Sequence, residues 1–137
     1  MRPEISRVVK EIYPALQDDP SVADFPDIKG TNGKNYFFLN HNFKEDNHAN
    51  FQSKTNSNEA DLIVRFCLYL ILQNYLPSDI TILSLYSGQL HTIHSKITKQ
   101  YPPEHLLRKV RISTVDNYQG EENKIIILSL VRNNHND

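Results

Sequence analysis

The run Ile125-Ile126-Ile127-Leu128 constrains this chain most. Four large aliphatic residues in a row do not alternate with polar ones, so a strand over residues 124–131 is expected to bury both faces. Such strands belong in parallel sheets covered by helices. Two β-rich runs precede it, at 80–85 and 110–115, with a helical pattern at 88–99 between them. That alternation predicts an open, mainly parallel α/β layer structure. The 137 residues suffice for one domain with a real core. Ligands of such sheets bind beyond the carboxyl ends of the strands. Here those ends are Tyr86-Ser87-Gly88-Gln89, residues 116–122 and Val131-Arg132-Asn133.

Upstream, residues 3–17 read as a helix. Pro3 suits the first helical position, Glu4 favours the positive end of the dipole, and Ile5, Val8, Val9, Ile12 and Leu16 form one stripe. Asp18-Asp19-Pro20-Ser21 breaks the pattern. Residues 35–40, built on Tyr36, Phe37, Phe38 and Leu39, read as a short strand. Residues 41–58 are polar and read as a mobile loop. Residues 58–75 form the strongest helical pattern. Asn56 with Glu59 resembles a capping box, and Leu62, Ile63, Phe66, Cys67, Leu70 and Ile71 supply the buried face. Val64, Leu68 and Leu72 widen that face, which predicts packing on two sides.

Charge is balanced, 15 Lys+Arg against 16 Asp+Glu, which excludes a strongly basic binder but leaves room for a local patch. Lys96, Lys99, Arg108, Lys109 and Arg111 are candidates for one, with a solvated helix face as the equal alternative. The single cysteine, Cys67, excludes an intrachain disulfide and a cysteine-based zinc site, and fits a reducing intracellular compartment, cytoplasmic or nuclear. Cys67 is expected in the core. His91 and His94 are two potential ligands at most, so no metal site is expected. The apolar stretch at 62–76 is interrupted by Arg65, Gln73 and Asn74 and is too short to span a bilayer. Gly30-Thr31-Asn32-Gly33-Lys34-Asn35 imitates the end of a phosphate-binding loop, but its glycines are too close and no Ser or Thr follows the lysine, so it reads as a turn.

The densest polar cluster is Ser113-Thr114-Val115-Asp116-Asn117-Tyr118-Gln119-Gly120-Glu121-Glu122, directly after a strand. Thr114 can donate its hydroxyl to a phosphate and Glu122 can accept from sugar hydroxyls. Gly120 permits a backbone conformation or close approach that a side chain would block. On these grounds alone an ordinary polar turn is an equal alternative. Adjacent carboxylates such as Glu121-Glu122 are ordinarily just solvated.

This cluster, followed by Ile-Ile-Ile-Leu-Ser-Leu-Val-Arg, resembles motif V and its extension in superfamily 1 helicases of the nonsense-mediated-decay-helicase-like branch. Met1-Arg2-Pro3-Glu4-Ile5-Ser6 resembles the stretch after that branch's Gln-x-Arg motif, and residues 80–89 resemble the strand and turn of motif IV. The three together, with Tyr-Leu-Pro-Ser before the strand, are most similar to the NFX-type zinc-finger-containing helicases. The resemblance covers nearly the whole chain. It implies a RecA-like, P-loop NTPase-type fold, with residues 1–137 a partial second RecA-like (C-terminal) domain. Such a domain closes over ATP and magnesium held by a first RecA-like domain and grips single-stranded RNA or DNA. Carried over residue by residue, Thr114 contacts the nucleic-acid backbone, and Tyr86, Ser87 and Gln89 lie near the strand. Gln119 and Gly120 couple the two sites and Glu122 meets the ATP ribose. Asp116 holds the turn by local hydrogen bonds, and Arg132 is structural or coupling.

The phosphate-binding loop, its acidic magnesium partner, the Gln-x-Arg motif and the arginine motif are absent from these residues. Phosphoryl transfer needs positioned lysine, magnesium and arginine groups, so this chain alone is expected neither to bind ATP nor to hydrolyse it. It is expected to be a fragment cut at both ends. A non-catalytic nucleic-acid-binding or protein-interaction module, decayed from a helicase, is the alternative expectation.

Overall fold

The structure, a computed structural model, describes residues 1–46 and 53–132. In chain order its regular elements are α1 (Pro3–Lys10), α2 (Ser57–Leu72), β1 (Ile80–Ser84), α3 (Ser87–Gln100), β2 (Arg111–Thr114) and β3 (Ile125–Ser129), joined by short 3-10 turns. The chain groups into two compact units, Met1–Asn40 and His41–Asp137.

In the first unit α1 ends at Lys10, well short of residue 17. Pro14 is the reason. It has no N–H to continue the helix, its ring would strike the Lys10 carbonyl, and it biases Tyr13 away from helical backbone. The expected buried stripe does not form among the described residues. Ser6 is the buried residue of α1, whereas Val8, Ile12 and Leu16 are exposed. Lys10 pairs with Asp18 at 2.6 Å, and that bond holds the Asp18 carboxyl below its ordinary range. Asp19 accepts from the Ser21 N–H and starts the turn Pro20–Asp24. Residues 35–40 are irregular rather than a strand. A strand needs a ladder, and the described sheet lies entirely in the second unit. Gly30, Asn32 and Gly33 adopt positive φ, and the Thr31 carbonyl accepts from Lys34 N–H at 3.1 Å. This segment is a tight turn, and among the described residues no helix starts directly after it.

In the second unit β1, β2 and β3 form a parallel sheet in the order β2-β1-β3. Ile82 of central β1 lies opposite Ile112 and Ile127, and β1 is buried throughout. α2 and α3 pack on each other and on the sheet. Buried face residues recur through α2 at Ile63, Val64, Cys67 and Leu70. Leu62, Phe66, Leu68 and Ile71 are half-buried and Leu72 is exposed, so one broad side of α2 is covered rather than two. Asn74, at positive φ, ends α2 with bonds from Asn74 N–H to Ile71 and from Tyr75 N–H to Leu70 carbonyls.

β3 departs from expectation. Ile125, Ile127 and Ser129 are buried, whereas Ile126 and Leu128 are 43% and 50% exposed. α2 covers one face of this edge strand, and among the described residues no helix covers the other. The continuous apolar run therefore alternates in burial although not in composition.

The polar stretch at 41–58 is better held than a loose loop where it is described. Asp46 accepts from Thr55 Oγ1 (2.8 Å), Ser57 N–H (3.0 Å) and Ser57 Oγ (2.8 Å). Residues 47–52, read as loop, and 133–137, with Asn133 read as part of a strand end, lie outside the described residues. Among the described residues, no helix is long and apolar enough to cross a membrane.

Candidate functional site

The three segments singled out as strand ends do not all stay at one end of the sheet. Ser84, Thr114 and Ser129 lie level with one another at the carboxyl ends of the strands. Tyr86, Ser87 and Arg132 follow directly and stay at that end. Residues 115–124 instead run back along the sheet. Glu121 pairs with Arg111, the first residue of β2. Asn123 Nδ2 donates to Thr81 Oγ1 and to the Ser78 carbonyl, both 2.9 Å, at the amino end of β1. Gln119, Gly120 and Glu122 are thereby carried away from Thr114. The candidate residues thus form two groups at opposite ends of the same short strands, linked by one connection.

At the carboxyl end, β1 gives way to α3 through a tight polar turn. Ser84 Oγ accepts from Tyr86 N–H and donates to the Tyr86 carbonyl, each at 3.1 Å. Tyr86 is half-buried and Ser87 is exposed. Gly88 N–H donates to Ser53 Oγ at 2.8 Å, which satisfies one of the unpaired donors of the α3 N-terminus. A Cβ at Gly88 would meet Thr55 Cγ2 at 3.0 Å and Ser53 Cβ at 3.1 Å, so a side chain there would push these neighbours back by a few tenths of an ångström. Thr114 is half-buried. Its Oγ1 accepts a long 3.4 Å bond from Asn117 N–H, and among the described residues its own proton has no acceptor. The bond from Tyr118 N–H to the Val115 carbonyl, 3.1 Å, holds this turn rather than the Asp116 side chain. Asp116 is exposed, and its carboxylate makes no hydrogen bond among the described residues. Arg132 is exposed, with Nε 3.6 Å from Glu45 Oε2.

Gln89 is placed differently from Tyr86 and Ser87. It is fully buried. Its Oε1 accepts from Asn56 N–H (2.8 Å), and its Nε2 donates to the Asn56 carbonyl (3.2 Å) and Ser129 Oγ (3.1 Å). Every polar atom of this amide is engaged inside the protein, so no part of it faces a ligand. Asn56 caps α2 by accepting from Glu59 N–H at 3.0 Å. The return half of a capping box is not made by Glu59, because Gln89 occupies the Asn56 N–H. Sequence reasoning found Asn56 and Glu59 only as a helix start. Their link to Gln89 and β3 joins residues up to 75 positions apart, and no local pattern signals it.

In the second group, Tyr118 and Gly120 make a type II turn. Glu121 N–H donates to the Tyr118 carbonyl at 3.1 Å, and Gly120 sits at φ +81. Nothing lies within 4 Å of a Cβ added at Gly120, so glycine serves conformation here and not close approach. Glu121 is not merely solvated. Both its oxygens accept from the Arg111 guanidinium, and this pairing holds the Glu121 carboxyl below its ordinary range and pushes Arg111 up. Arg111 also lies 5.0 Å from the centre of the buried Tyr118 ring, so Tyr118 is a packing residue. Gln119 and Glu122 remain exposed beside it.

Three of the five basic-patch candidates are engaged within the protein. Lys96 pairs with Asp61 at 2.8 Å. Arg108 donates to the Thr98 and Tyr101 carbonyls at the end of α3, and Arg111 is committed to Glu121. Cys67 is fully buried, and burial pushes its thiol up to about 12. Among the described residues no group of three or more His, Cys, Asp or Glu is placed to hold a metal ion.

Comparison with known proteins places the sequence in a family. A family model described as an AAA domain matches residues 1–137. The mouse NFX1-type zinc finger-containing protein 1 is 44% identical over 135 residues, covering 98% of this chain and 7% of the relative. The "Helicase required for RNAi-mediated heterochromatin assembly 1" of Schizosaccharomyces pombe is 40% identical over 134 residues, 98% of this chain and 13% of the relative. The "Regulator of nonsense transcripts 1" of Dictyostelium discoideum is 29% identical over 129 residues, 93% of this chain and 9% of the relative. The chain thus spans only a small part of each relative's length. A partial RecA-like sheet, the motif-bearing turns at its two ends and a family match along the whole sequence lead to one conclusion: this chain belongs to the AAA domain family, among its superfamily 1 helicase-like members.

Proposed function

We propose that this chain is the second motor domain of an ATP-dependent helicase, gripping a single strand at one end of its sheet and forming one wall of an ATP cleft at the other. The observation that carries this reading is the split of the candidate residues into two groups joined by residues 115–124. Thr114, Tyr86 and Ser87 offer an unpaired hydroxyl proton, an aromatic ring and an exposed hydroxyl at the carboxyl ends. These suit phosphates and stacked bases. Gln119, Gly120 and Glu122 would hold the nucleotide's sugar side, and Arg132, now beside Glu45, would exchange that carboxylate for a phosphate at the strand end. ATP supplies the free energy of domain closure when bound with magnesium. Its phosphates need a lysine-bearing loop that these 137 residues do not contain, so the first RecA-like domain is a required partner. RNA is preferred over DNA because several relatives' names refer to RNA processes.

The same absence favours one other reading, a strand-binding module that works without ATP. Both readings are tested by the anisotropy of a labelled oligo(U) titrated with the 137-residue chain. Salt-dependent binding that drops about tenfold in Thr114→Ala, the worth of one hydrogen bond to a charged group, supports the shared strand site. Binding that ATP strengthens once a first-domain polypeptide of a relative is added supports the motor. Binding indifferent to both additions supports the module, and no binding at any salt concentration sinks both.

A further inference from the structure

Just beyond β3 the chain makes a turn that its sequence does not favour. Val131 lies at φ +70, the left-handed region that β-branched residues avoid. Arg132 N–H donates to the Leu130 carbonyl at 2.8 Å. The result is a three-residue γ-turn of the rare, strained hand. Glycine or asparagine is the ordinary occupant of such backbone. Val131 is nevertheless completely buried, so its surroundings hold it there.

Those surroundings are one clamp. Val131 N–H donates to both oxygens of Glu59, at 3.2 and 3.1 Å. The Val131 carbonyl accepts from Asn56 Nδ2 at 3.3 Å. Ser129 Oγ donates to Glu59 Oε1 at 2.6 Å and accepts from the buried Gln89 amide. On the remaining side His41 Nε2 lies 3.4 Å from Glu59 Oε2. Glu59, Asn56, Gln89 and Ser129 are all buried. The N-cap and first turn of α2 thus grip both backbone polar groups of one residue, Gln89 of α3 braces that grip through Asn56 and Ser129, and the next residue, Arg132, emerges at the carboxyl end of the sheet.

We propose that Glu59 is a positioning residue: its buried carboxylate locks Val131 in the left-handed turn and so sets where Arg132 leaves the sheet to meet a phosphate. The function of that aim rests on the strand-binding reading above. The lock itself does not.

The test uses the full chain, isotopically labelled, as wild type, Glu59→Gln, Val131→Gly and the double variant, with oligo(U) as probe. In Glu59→Gln the Val131 amide should exchange with solvent roughly tenfold faster or more, relative to Ile127, since a bond to a charged acceptor is weakened. Oligo(U) affinity should fall as far as it does in Arg132→Gln. Adding Val131→Gly should return the Arg132 amide resonance and the affinity towards wild type, because glycine adopts this backbone without a clamp. A purely structural role for Glu59 forecasts the reverse, since Val131→Gly also removes a buried side chain and should lower stability and binding further. Unchanged Val131 exchange in Glu59→Gln, or a double variant worse than the single, overturns the proposal. If wild type binds no oligo(U), the strand reading fails and the exchange and resonance data alone decide the lock. Should Glu59→Gln not fold, Ser129→Ala removes the hydroxyl that orients the same carboxylate. It should shift the same signals in the same direction to a smaller extent, and their staying unmoved counts against the lock.

Discussion

Replacing Asn56 with alanine removes three hydrogen bonds from a buried junction. The first is the cap on α2, the bond from Glu59 N–H to Asn56 Oδ1 at 3.0 Å. Losing such a cap costs about 1 kcal/mol. The other two are donations from Asn56 Nδ2 to the carbonyls of Phe43 (2.9 Å) and Val131 (3.3 Å). The Val131 carbonyl is buried, and leaving it without its donor costs roughly 1 kcal/mol or more; the carbonyl of the exposed Phe43 can turn to water and costs less. The expected loss is therefore about 2–3 kcal/mol, a large share of the ~5–15 kcal/mol that holds an ordinary domain. Asn56→Asp separates the parts. It keeps an oxygen for Glu59 N–H but turns a second negative oxygen towards two carbonyls, one turn from Glu59. Its expected cost is at least as large. Urea titration followed by far-ultraviolet circular dichroism measures both, since a shift in midpoint at constant slope is a change in stability. If Asn56→Asp lies within about 0.5 kcal/mol of wild type, the amide donors carry nothing and Asn56 is only a helix cap.

The remaining predictions concern other parts of the second unit. Gly120→Ala should destabilise by about 1 kcal/mol through the cost of φ +81 alone, because nothing obstructs the added methyl; a loss above ~3 kcal/mol in a urea titration would point to a clash instead. Glu121 has a folded-state pKa below its ordinary 4.5, so its stabilisation is present above that value and is lost as pH falls through the lowered one. Glu121→Gln should therefore flatten the acid limb of a melting-temperature profile, and an unchanged limb would refute the assignment. The Cys67 thiol, pushed up to about 12, should resist an aromatic disulfide reagent at pH 8 and react only as fast as the fold opens. Reaction at the rate of a free thiol would show that α2 is not packed as described. Ile82→Ala, at a fully buried position of the central strand, should cost ~2–5 kcal/mol, whereas Ile126→Thr on the open face should cost less than 1 kcal/mol in the same titration.

Elements with strong local signals were legible. β1 and α3 start and end within a residue of where their patterns place them. Asn56 starts α2 as its side chain suggests. The error in α1 was legible too: Pro14 alone rules out a helix through residue 17, and the apolar spacing around it is no remedy. Residues 35–40 have strand-like composition but no ladder, and pairing is a property of neighbours, not of the segment. The candidate site divided in the same way. Thr114, Tyr86, Ser87 and Arg132 lie at the strand ends that the pattern indicates. Gln89 belongs to the same motif but points inward, because α3 turns every third or fourth residue toward the sheet.

What the sequence determined by itself is the parallel α/β order, the positions of the helix starts and turns, and the motif resemblance, all of which depend on residues close together in the chain. Three things were decided only in three dimensions. Among the described residues one face of β3 is open, because α2 packs on the other and no helix packs on this one. Residues 115–124 carry Gln119 and Glu122 to the opposite end of the sheet from Thr114. Glu59, read locally as a helix start, instead grips the backbone at Val131, 72 positions away. Each depends on which groups meet when distant segments pack. A buried hydrogen-bonding group must find its partner wherever the fold supplies one.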